Sequence, residues 1–139
     1  MTPVELADLH RQCFQVPRPW TADEFSDFLK SANILLITRP DGFLLGRIVG
    51  PEAEILTLAV VPTGRRNGIG RALVDEFLAV AGKHGGENVF LEVASDNLAA
   101  IELYRSAGFR QSGLRKDYYH SPHGRKISAL VMQRDLGPN

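Results

Sequence analysis

The chain of 139 residues has a single cysteine, Cys13, and no excess of charge of either sign, since its acidic and basic side chains balance to a formal net charge of zero. One cysteine excludes an intramolecular disulfide and a cysteine-based metal cluster, so nothing indicates an oxidising compartment. The charge balance gives no support for broad electrostatic binding to nucleic acid or to a membrane surface. We therefore expect no direct nucleic-acid partner and no membrane partner.

Long apolar runs are also missing. No segment approaches the roughly 20 residues that a bilayer-spanning helix needs, and the acidic N-terminus lacks the positive and apolar regions of a signal peptide. The composition, with 44% apolar and 23% charged residues, is ordinary for a globular protein. The sequence therefore predicts one cytoplasmic domain over residues 1–139, and it gives no prediction of the oligomeric state.

Hydrophobic periodicity and turn signals predict helices and strands in the order ααβββαβαββ. The first helix is predicted over residues 3–14, and a capping box at Thr21–Glu24 begins the second. The later predicted elements are a hairpin over 34–49, a strand over 53–61, a helix over 72–81, a strand over 89–94, a helix over 98–107, and strands over 109–119 and 126–134. Because a helix connects strands 53–61 and 89–94, these two strands should be parallel within an α/β fold.

The most distinctive stretch is the polar loop Arg65–Arg71, which lies between a predicted strand and a predicted helix and contains Gly68 and Gly70. Helix starts carry unpaired N–H groups and partial positive charge, arginines add donors, and glycines let the backbone approach a ligand. The loop therefore predicts a pyrophosphate site, with a solvated helix start that binds nothing as the alternative. It lacks a Walker lysine, and Leu73 replaces the third glycine of a dinucleotide motif.

Glu92 is the strongest candidate for catalysis, because it lies within the apolar strand Phe90–Ala94. A carboxylate in such a run should be largely desolvated, and desolvation makes a carboxylate a better proton acceptor. The alternatives are a glutamate paired with an arginine, or one that faces solvent at a strand end.

Asn97 and Tyr104 lie seven residues apart on a predicted helix, so they share one face about 10.5 Å apart along the axis. The small Ala100 lies between them, and an extended ligand would fit along this face. Helix geometry alone favours the alternative of a capping asparagine and a half-buried tyrosine.

The histidines carry little signal. His120 and His123 flank a turn without nearby carboxylates, which is a poor metal site, so no metal is predicted. We expect His10 and His84 at the surface, and Cys13 as a small buried side chain on a helix face.

Taken together, these residues resemble the Gcn5-related N-acetyltransferase (GNAT) family. The Arg/Gln-x-x-Gly-x-Gly/Ala loop of that family is matched by Arg65–Gly70. Within the family, Leu91–Tyr104 is very similar to the strand–helix signature of the RimI-type ribosomal-protein alanine N-acetyltransferases, and Glu54–Val60 resembles the strand before the loop. The resemblance is strong over residues 53–136 and looser before them.

The resemblance implies a mixed, mostly antiparallel sheet with a central parallel strand pair, flanked by helices. It implies acetyl-CoA as co-substrate, with no metal, and it matches Glu92 to the general base and Tyr104 to the general acid. The pyrophosphate would lie on the loop amides and the pantetheine arm along the preceding strand. The acetyl-CoA-binding residues that it implies are Leu58, Ala59, Val60, Arg65, Arg66, Asn67, Gly68, Ile69, Gly70, Arg71 and Asn97.

The implied activity is direct transfer of acetyl to a primary amine, and the RimI-type match favours the N-terminal α-amine of a ribosomal protein. An α-amine is neutral in roughly one molecule in ten at pH 7 and a lysine in about one in 2,500, so a modest base suits the α-amine. The alternatives are a GNAT that acetylates a small-molecule amine or a lysine, and a non-catalytic acyl-CoA-binding module. Glu24, Glu54 and Asp117 are the candidates to receive a basic peptide.

Overall fold

A computed structural model describes residues 1–62, 65 and 68–137. Within these ranges the chain forms four helices and six strands in the predicted order. The helices are α1 (Pro3–Cys13), α2 (Ala22–Leu29), α3 (Ile69–Lys83) and α4 (Leu98–Ser106). The strands are β1 (Ile34–Arg39), β2 (Gly42–Val49), β3 (Glu52–Val60), β4 (Asn88–Ala94), β5 (Arg110–His120) and β6 (Lys126–Asp135). No helix in the described ranges is long and apolar enough to cross a membrane.

Capping boxes begin both N-terminal helices. At the start of α2, Thr21 Oγ1 accepts from the Glu24 N–H at 3.2 Å and the Glu24 carboxylate accepts from the Thr21 N–H at 3.0 Å, as predicted. The same arrangement of Thr2 and Glu5 begins α1 and was not predicted. Each box satisfies backbone N–H groups that have no partner within the helix.

The strands form one sheet in the order β1-β2-β3-β4-β6-β5. Its neighbours are antiparallel except for β3 and β4, which are parallel. The predicted mixed sheet with a central parallel pair is therefore confirmed. The last strand, β6, lies between β4 and β5, so it fills the interior of the sheet, and β1 and β5 are the edges.

The two faces of the sheet carry different helices. One face packs against α3 and α4 in an apolar core that includes one stripe of α3, namely Leu73, Val74, Phe77, Leu78 and Ala81. The other face, at β1 to β3, packs against α1 and α2 around Phe25 and Phe43. The sheet of the N-terminal half is therefore covered on both sides.

A β-bulge interrupts the pairing of β2 with β3. Leu45 pairs with Thr57 whereas Gly46 pairs with Ile55, so Leu56 is an extra residue in β3. The bulge reverses which side chains of β3 face α3: Ile55 does before it, and Leu58 after it. Bulges bend the strand that carries them and increase its twist.

The parallel pairing of β3 with β4 ends at the same point. It runs from the Glu52–Asn88 pair to the Ile55–Leu91 pair and stops there. The rest of β3 stays paired with β2 but leaves β4, so the two central strands separate towards their C-terminal ends. This separation is what positions the site described below.

Substitution of Gly46 in β2 tests how tightly the sheet packs against α3. A Cβ at Gly46 would lie 2.1 Å from the Phe77 ring, whereas a Cβ at Gly82, within α3, would meet open space. We expect Gly46→Ala to lower the free energy of unfolding by about 1–3 kcal/mol through overpacking. Gly82→Ala, the control, should raise it by about 0.5–1 kcal/mol, because alanine favours the helix. Urea unfolding measures both, and a Gly46→Ala protein as stable as the unaltered one would contradict this packing.

Candidate active site

A cleft of about 440 Å³ opens where β3 and β4 separate. The side chains that line it include the three that the sequence singled out on the second half of the chain, Glu92, Asn97 and Tyr104, together with Ala100. Residues from α1, the segment after it, β3 and β5 form the remaining walls. The structure therefore brings the predicted base and acid to one cavity.

Glu92 lies in β4 and faces this cleft, but it is less desolvated than its apolar neighbours predict. Its side chain keeps 26% of its accessible surface, and it forms an ion pair with Arg115, whose Nε lies 3.0 Å from Glu92 Oε1. The alternative of a glutamate paired with an arginine is therefore confirmed. The physical reason is that strand alternation points Glu92 away from the core that buries Leu91 and Val93.

Tyr104 is buried to 6% exposure, deeper than the half-buried tyrosine expected, and its ring packs edge-on against Phe109 at 5.7 Å. Burial raises the pKa of Tyr104 above its ordinary value. The phenol is therefore protonated at physiological pH and is suited to donate a hydrogen bond into the cleft. The same shift makes it a weaker acid, so donation is favoured over full loss of the proton.

Asn97 both caps α4 and lines the cleft. Its side-chain oxygen accepts from the Ala100 N–H at 3.2 Å, which fixes the start of the helix. This bond leaves the side-chain amide nitrogen, with its two donors, free of the cap. Capping and lining are therefore compatible, although helix geometry had favoured capping alone.

The open edge of β3 lies beside these residues. The Val61 N–H donates to the Asp41 carbonyl on the β2 side at 2.9 Å. Because successive peptide groups of a strand point to opposite edges, the N–H groups of Val60 and Leu58 point away from β2, towards the edge that β4 has left. The Val60 carbonyl accepts from Arg65 Nε at 3.0 Å and from Cys13 Sγ at 3.3 Å. This edge suits a ligand that pairs like an added strand.

The start of α3 carries N–H groups that the helix itself does not pair. Gly68 is its N-cap with φ 76°, a left-handed conformation that favours glycine, and it provides no side-chain cap. The first helical bond is from Ala72 N–H to Gly68 O, at 3.0 Å. The N–H groups of residues 69–71 thus have no acceptor within the helix, an arrangement typical of anion sites. The helix begins at Ile69 rather than at residue 72, so the last three residues of the predicted loop form its first turn.

Gly70 also has a packing role, in addition to the predicted one of letting a ligand approach the backbone. A Cβ there would lie 3.1 Å from the Leu103 side chain, so the missing side chain lets the first turn of α3 lie against α4. Arg71 is also engaged within the chain, since its guanidinium contacts Asp75 at 3.0 Å and Ser106 at 3.1 Å. The predicted residues Arg66 and Asn67 lie outside the described residues.

The prediction that His10 lies at the surface is wrong, because only 1% of its surface is exposed. Its Nδ1 accepts from the Trp20 N–H at 2.9 Å, so the proton is on Nε2, which donates to Thr57 Oγ1 at 2.9 Å. Its spacing from Leu6 and Ala7, on the buried stripe of α1, is the signal that would have identified it. His10 therefore connects α1 and the segment before α2 to the bulge in β3. By contrast, His84 is exposed, as predicted.

Burial lowers the pKa of His10 to about 4, from the 6.5 of an unfolded histidine. Between these values the unfolded chain binds more protons than the folded one, so stability is fully present above 6.5 and falls as the pH falls towards 4. We expect this effect of His10 alone to lower the free energy of unfolding by about 2 kcal/mol between pH 7 and pH 5.

Urea unfolding at pH 7 and pH 5 measures this loss. His10→Phe should be less stable at pH 7 but should lose less between the two pH values, whereas the exposed control His84→Gln should keep the original loss. An unchanged pH dependence in His10→Phe would show that His10 is not held neutral.

The structure separates the three carboxylates suggested for a basic peptide. Glu54 lines the cleft and is paired with Arg47 at 2.8 Å. Glu24 is held by Arg18 at 2.8 Å and lines a different groove. In the part of the chain that the structure describes, Asp117 is not among the cleft residues. Across the same ranges, no group of three or more His, Cys, Asp or Glu side chains is placed to hold a metal ion.

Three cleft residues on β5 were not predicted as site residues: Arg115, Tyr118 and Tyr119. The register of β5 against β6 breaks between Arg115 and Tyr119, and Asp117 there has φ 53°. This irregularity brings both neighbouring tyrosines to the cleft. Burial and the nearby Glu92 raise the pKa of Tyr119 to about 12, so its phenol is also protonated at neutral pH. A strand irregularity of this kind leaves no clear sequence pattern.

The open strand edge, the start of α3 and the cleft that contains a carboxylate and a phenol together suit an elongated anionic ligand. Residues 4–109 match the model of the acetyltransferase (GNAT) family. The chain belongs to the GNAT family of acetyltransferases.

Its relatives agree with this assignment. The chain is 39% identical over 140 residues to the N-alpha-acetyltransferase RimI of Mycobacterium tuberculosis, a match that covers 94% of this chain and 85% of that protein. The crystal structure of the ribosomal-protein-S18-alanine N-acetyltransferase from Escherichia coli is similar with a TM-score of 0.83 and 28% identity, over 96% of this chain and 86% of that one. Arabidopsis thaliana NAA60, solved in complex with acetyl-CoA, shares the fold (TM-score 0.81, 24% identity, 96% and 93% covered).

Proposed function

We propose that this acetyltransferase uses acetyl-CoA to acetylate the α-amine at a protein N-terminus. The observation that carries the proposal is that Glu92, Asn97 and Tyr104 line one cleft at the point where β3 and β4 separate. The similarity to a RimI Nα-acetyltransferase supports an α-amine as acceptor, and the ribosomal-protein-S18-alanine enzyme supports a ribosomal N-terminus. Such an acceptor would place the reaction in the cytoplasm.

The described residues fit acetyl-CoA. Its pyrophosphate would accept hydrogen bonds from the N–H groups of residues 69–71, where the partial positive charge of the helix start adds to them. Its amide-containing arm would pair with the open edge at Leu58 and Val60, and the amide of Asn97 would reach it from the opposite side. Bound acetyl-CoA supplies a thioester, which is an activated acyl group.

Glu92 would act on the amine. In this role its carboxylate removes a proton from the α-amine, directly or through a water molecule, as the nitrogen attacks. An α-amine has a pKa of about 7.7–8.0, so this task needs only a modest base. The Val60 N–H, aimed at the open edge of β3, would stabilise the negative charge that develops on the carbonyl oxygen.

Tyr104 would act on the leaving sulfur. A thiolate with a pKa near 8.5 is stabilised by a hydrogen bond from a phenol that remains protonated. Because burial raises the pKa of Tyr104, we assign it the role of donor to the thiolate. A proton from solvent or from the cleft would then convert the CoA thiolate to the thiol.

The two roles predict different kinetic effects. Glu92→Gln keeps size and polarity but removes the base, so kcat/KM should fall about 10²-fold or more. Tyr104→Phe removes one hydrogen bond and should cost about tenfold, mainly in kcat. Both variants should bind CoA as the unaltered protein does. Release of CoA and a CoA-binding titration measure these effects, and full activity of Glu92→Gln would remove it from the mechanism.

The acceptor is tested by a panel. We expect turnover with peptides that begin with alanine, much slower turnover with lysine peptides whose N-terminus is blocked, and little with small amines. Acetyl-CoA consumption measures each rate, with peptides blocked at both amines as the control. Turnover of a small amine without turnover of any alanine-starting peptide would contradict the proposed function.

A further inference from the structure

The cleft contains two carboxylates, and each already has an arginine partner. Arg115 pairs with Glu92 at 3.0 Å and Arg47 pairs with Glu54 at 2.8 Å. Glu92 and Glu54 keep only 26% and 23% of their side-chain surface. Among the described lining residues, therefore, the cleft offers an arriving cation no carboxylate without a positive partner.

Arg115 is held in place by the sheet. Arg115 on β5 pairs with Ala129 of β6, and Ala129 pairs in turn with Ala94 of β4. Arg115 and Glu92 therefore lie on the same face of the sheet, on either side of β6. The small, fully buried Ala129 lets the arginine side chain cross β6 to reach Glu92. On its other side, Arg115 Cζ lies 5.0 Å from the centre of the Tyr118 ring, which favours the cation. A permanent positive charge thus lies beside the proposed base.

We propose that Arg115 is a specificity-determining residue, whose guanidinium repels acceptors that arrive as ammonium ions and so makes the cleft select amines that arrive neutral. This inference rests on the proposed function. Like charges a few Å apart disfavour binding even where water screens them. The contact with Oε1 also leaves Oε2 of Glu92 for the acceptor.

The selection acts on the populations of the two amines in solution. Roughly one α-amine in ten is neutral at pH 7, against about one lysine in 2,500, so a cleft that takes only neutral amines favours N-termini about 250-fold at equal fit. Without the guanidinium, Glu92 would be an unpaired anion that attracts ammonium ions, and it could then deprotonate them in place. The preference for α-amines over lysines would therefore become smaller.

Other titratable groups of the cleft do not produce this effect. The pKa of His10 is lowered to about 4 and that of Tyr119 raised to about 12, while burial also raises the pKa of Tyr104. None of these three changes charge between pH 6 and pH 9, where acceptor amines titrate. The remaining titratable lining residues are Glu54 on β3 and Tyr118 on β5.

The test compares Arg115→Gln with Arg115→Lys. Two peptides of equal length are used as acceptors, one with a free N-terminal alanine, the other with a blocked N-terminus and one lysine. In Arg115→Gln we expect the ratio of kcat/KM values, α-amine over lysine, to fall about five- to tenfold. The KM for the alanine peptide should also rise less steeply as the pH falls from 8.5 to 6.5. Arg115→Lys keeps the charge and should restore both properties.

Arg110 provides the matched control, because it is an exposed arginine on the same strand. It also has a carboxylate partner, Asp135, at 4.0 Å. Arg110→Gln should keep the ratio and the pH dependence. An Arg115→Gln protein that loses activity equally on both peptides, with unchanged pH dependence, would overturn the inference and leave the proposed function intact. An unaltered protein that acetylates no α-amine peptide would overturn both.

Discussion

The site depends on one limit to backbone pairing, the end of the β3–β4 ladder after Ile55 and Leu91. If β3 and β4 stayed paired beyond this point, β4 would satisfy the N–H groups of β3 that face it, and no ligand could reach them. The bulge at Leu56 bends β3 at this point and turns its side chains to the opposite faces. Separation of the two strands then exposes donors on β3 and opens the cleft beside Glu92.

Two further features hold the separated strands in place. His10 fixes Thr57, immediately after the bulge, and the Trp20 backbone, so one neutral imidazole sets the position of the wall formed by α1 and the segment after it. On the other face, Gly70 lets the first turn of α3 lie against Leu103 of α4 and close to Val60 of β3. The same packing that stabilises the fold therefore also sets the positions of β3 and α3 around the candidate site.

Most of the fold could be predicted from the sequence, because the capping box at Thr21 and the apolar periodicity of α3 are local signals. Local context and family resemblance also singled out Glu92 and Tyr104, which line one cleft in the structure. The burial of His10 and the pairing of Arg115 with Glu92 were not predicted, because each depends on partners far along the chain or across a strand. Sequence order does not reveal that β6 inserts between β4 and β5, or that Arg115 on β5 reaches Glu92 across β6.

The central claim is that the open edge of β3 and the first turn of α3 bind acetyl-CoA together. Titration of the ¹⁵N-labelled protein with CoA, followed by amide chemical shifts, tests it directly. We predict the largest shifts at Leu58, Val60 and residues 69–71, with little change at the outer strand β1. Shifts that spare both segments, or that cluster on β1, would contradict the account.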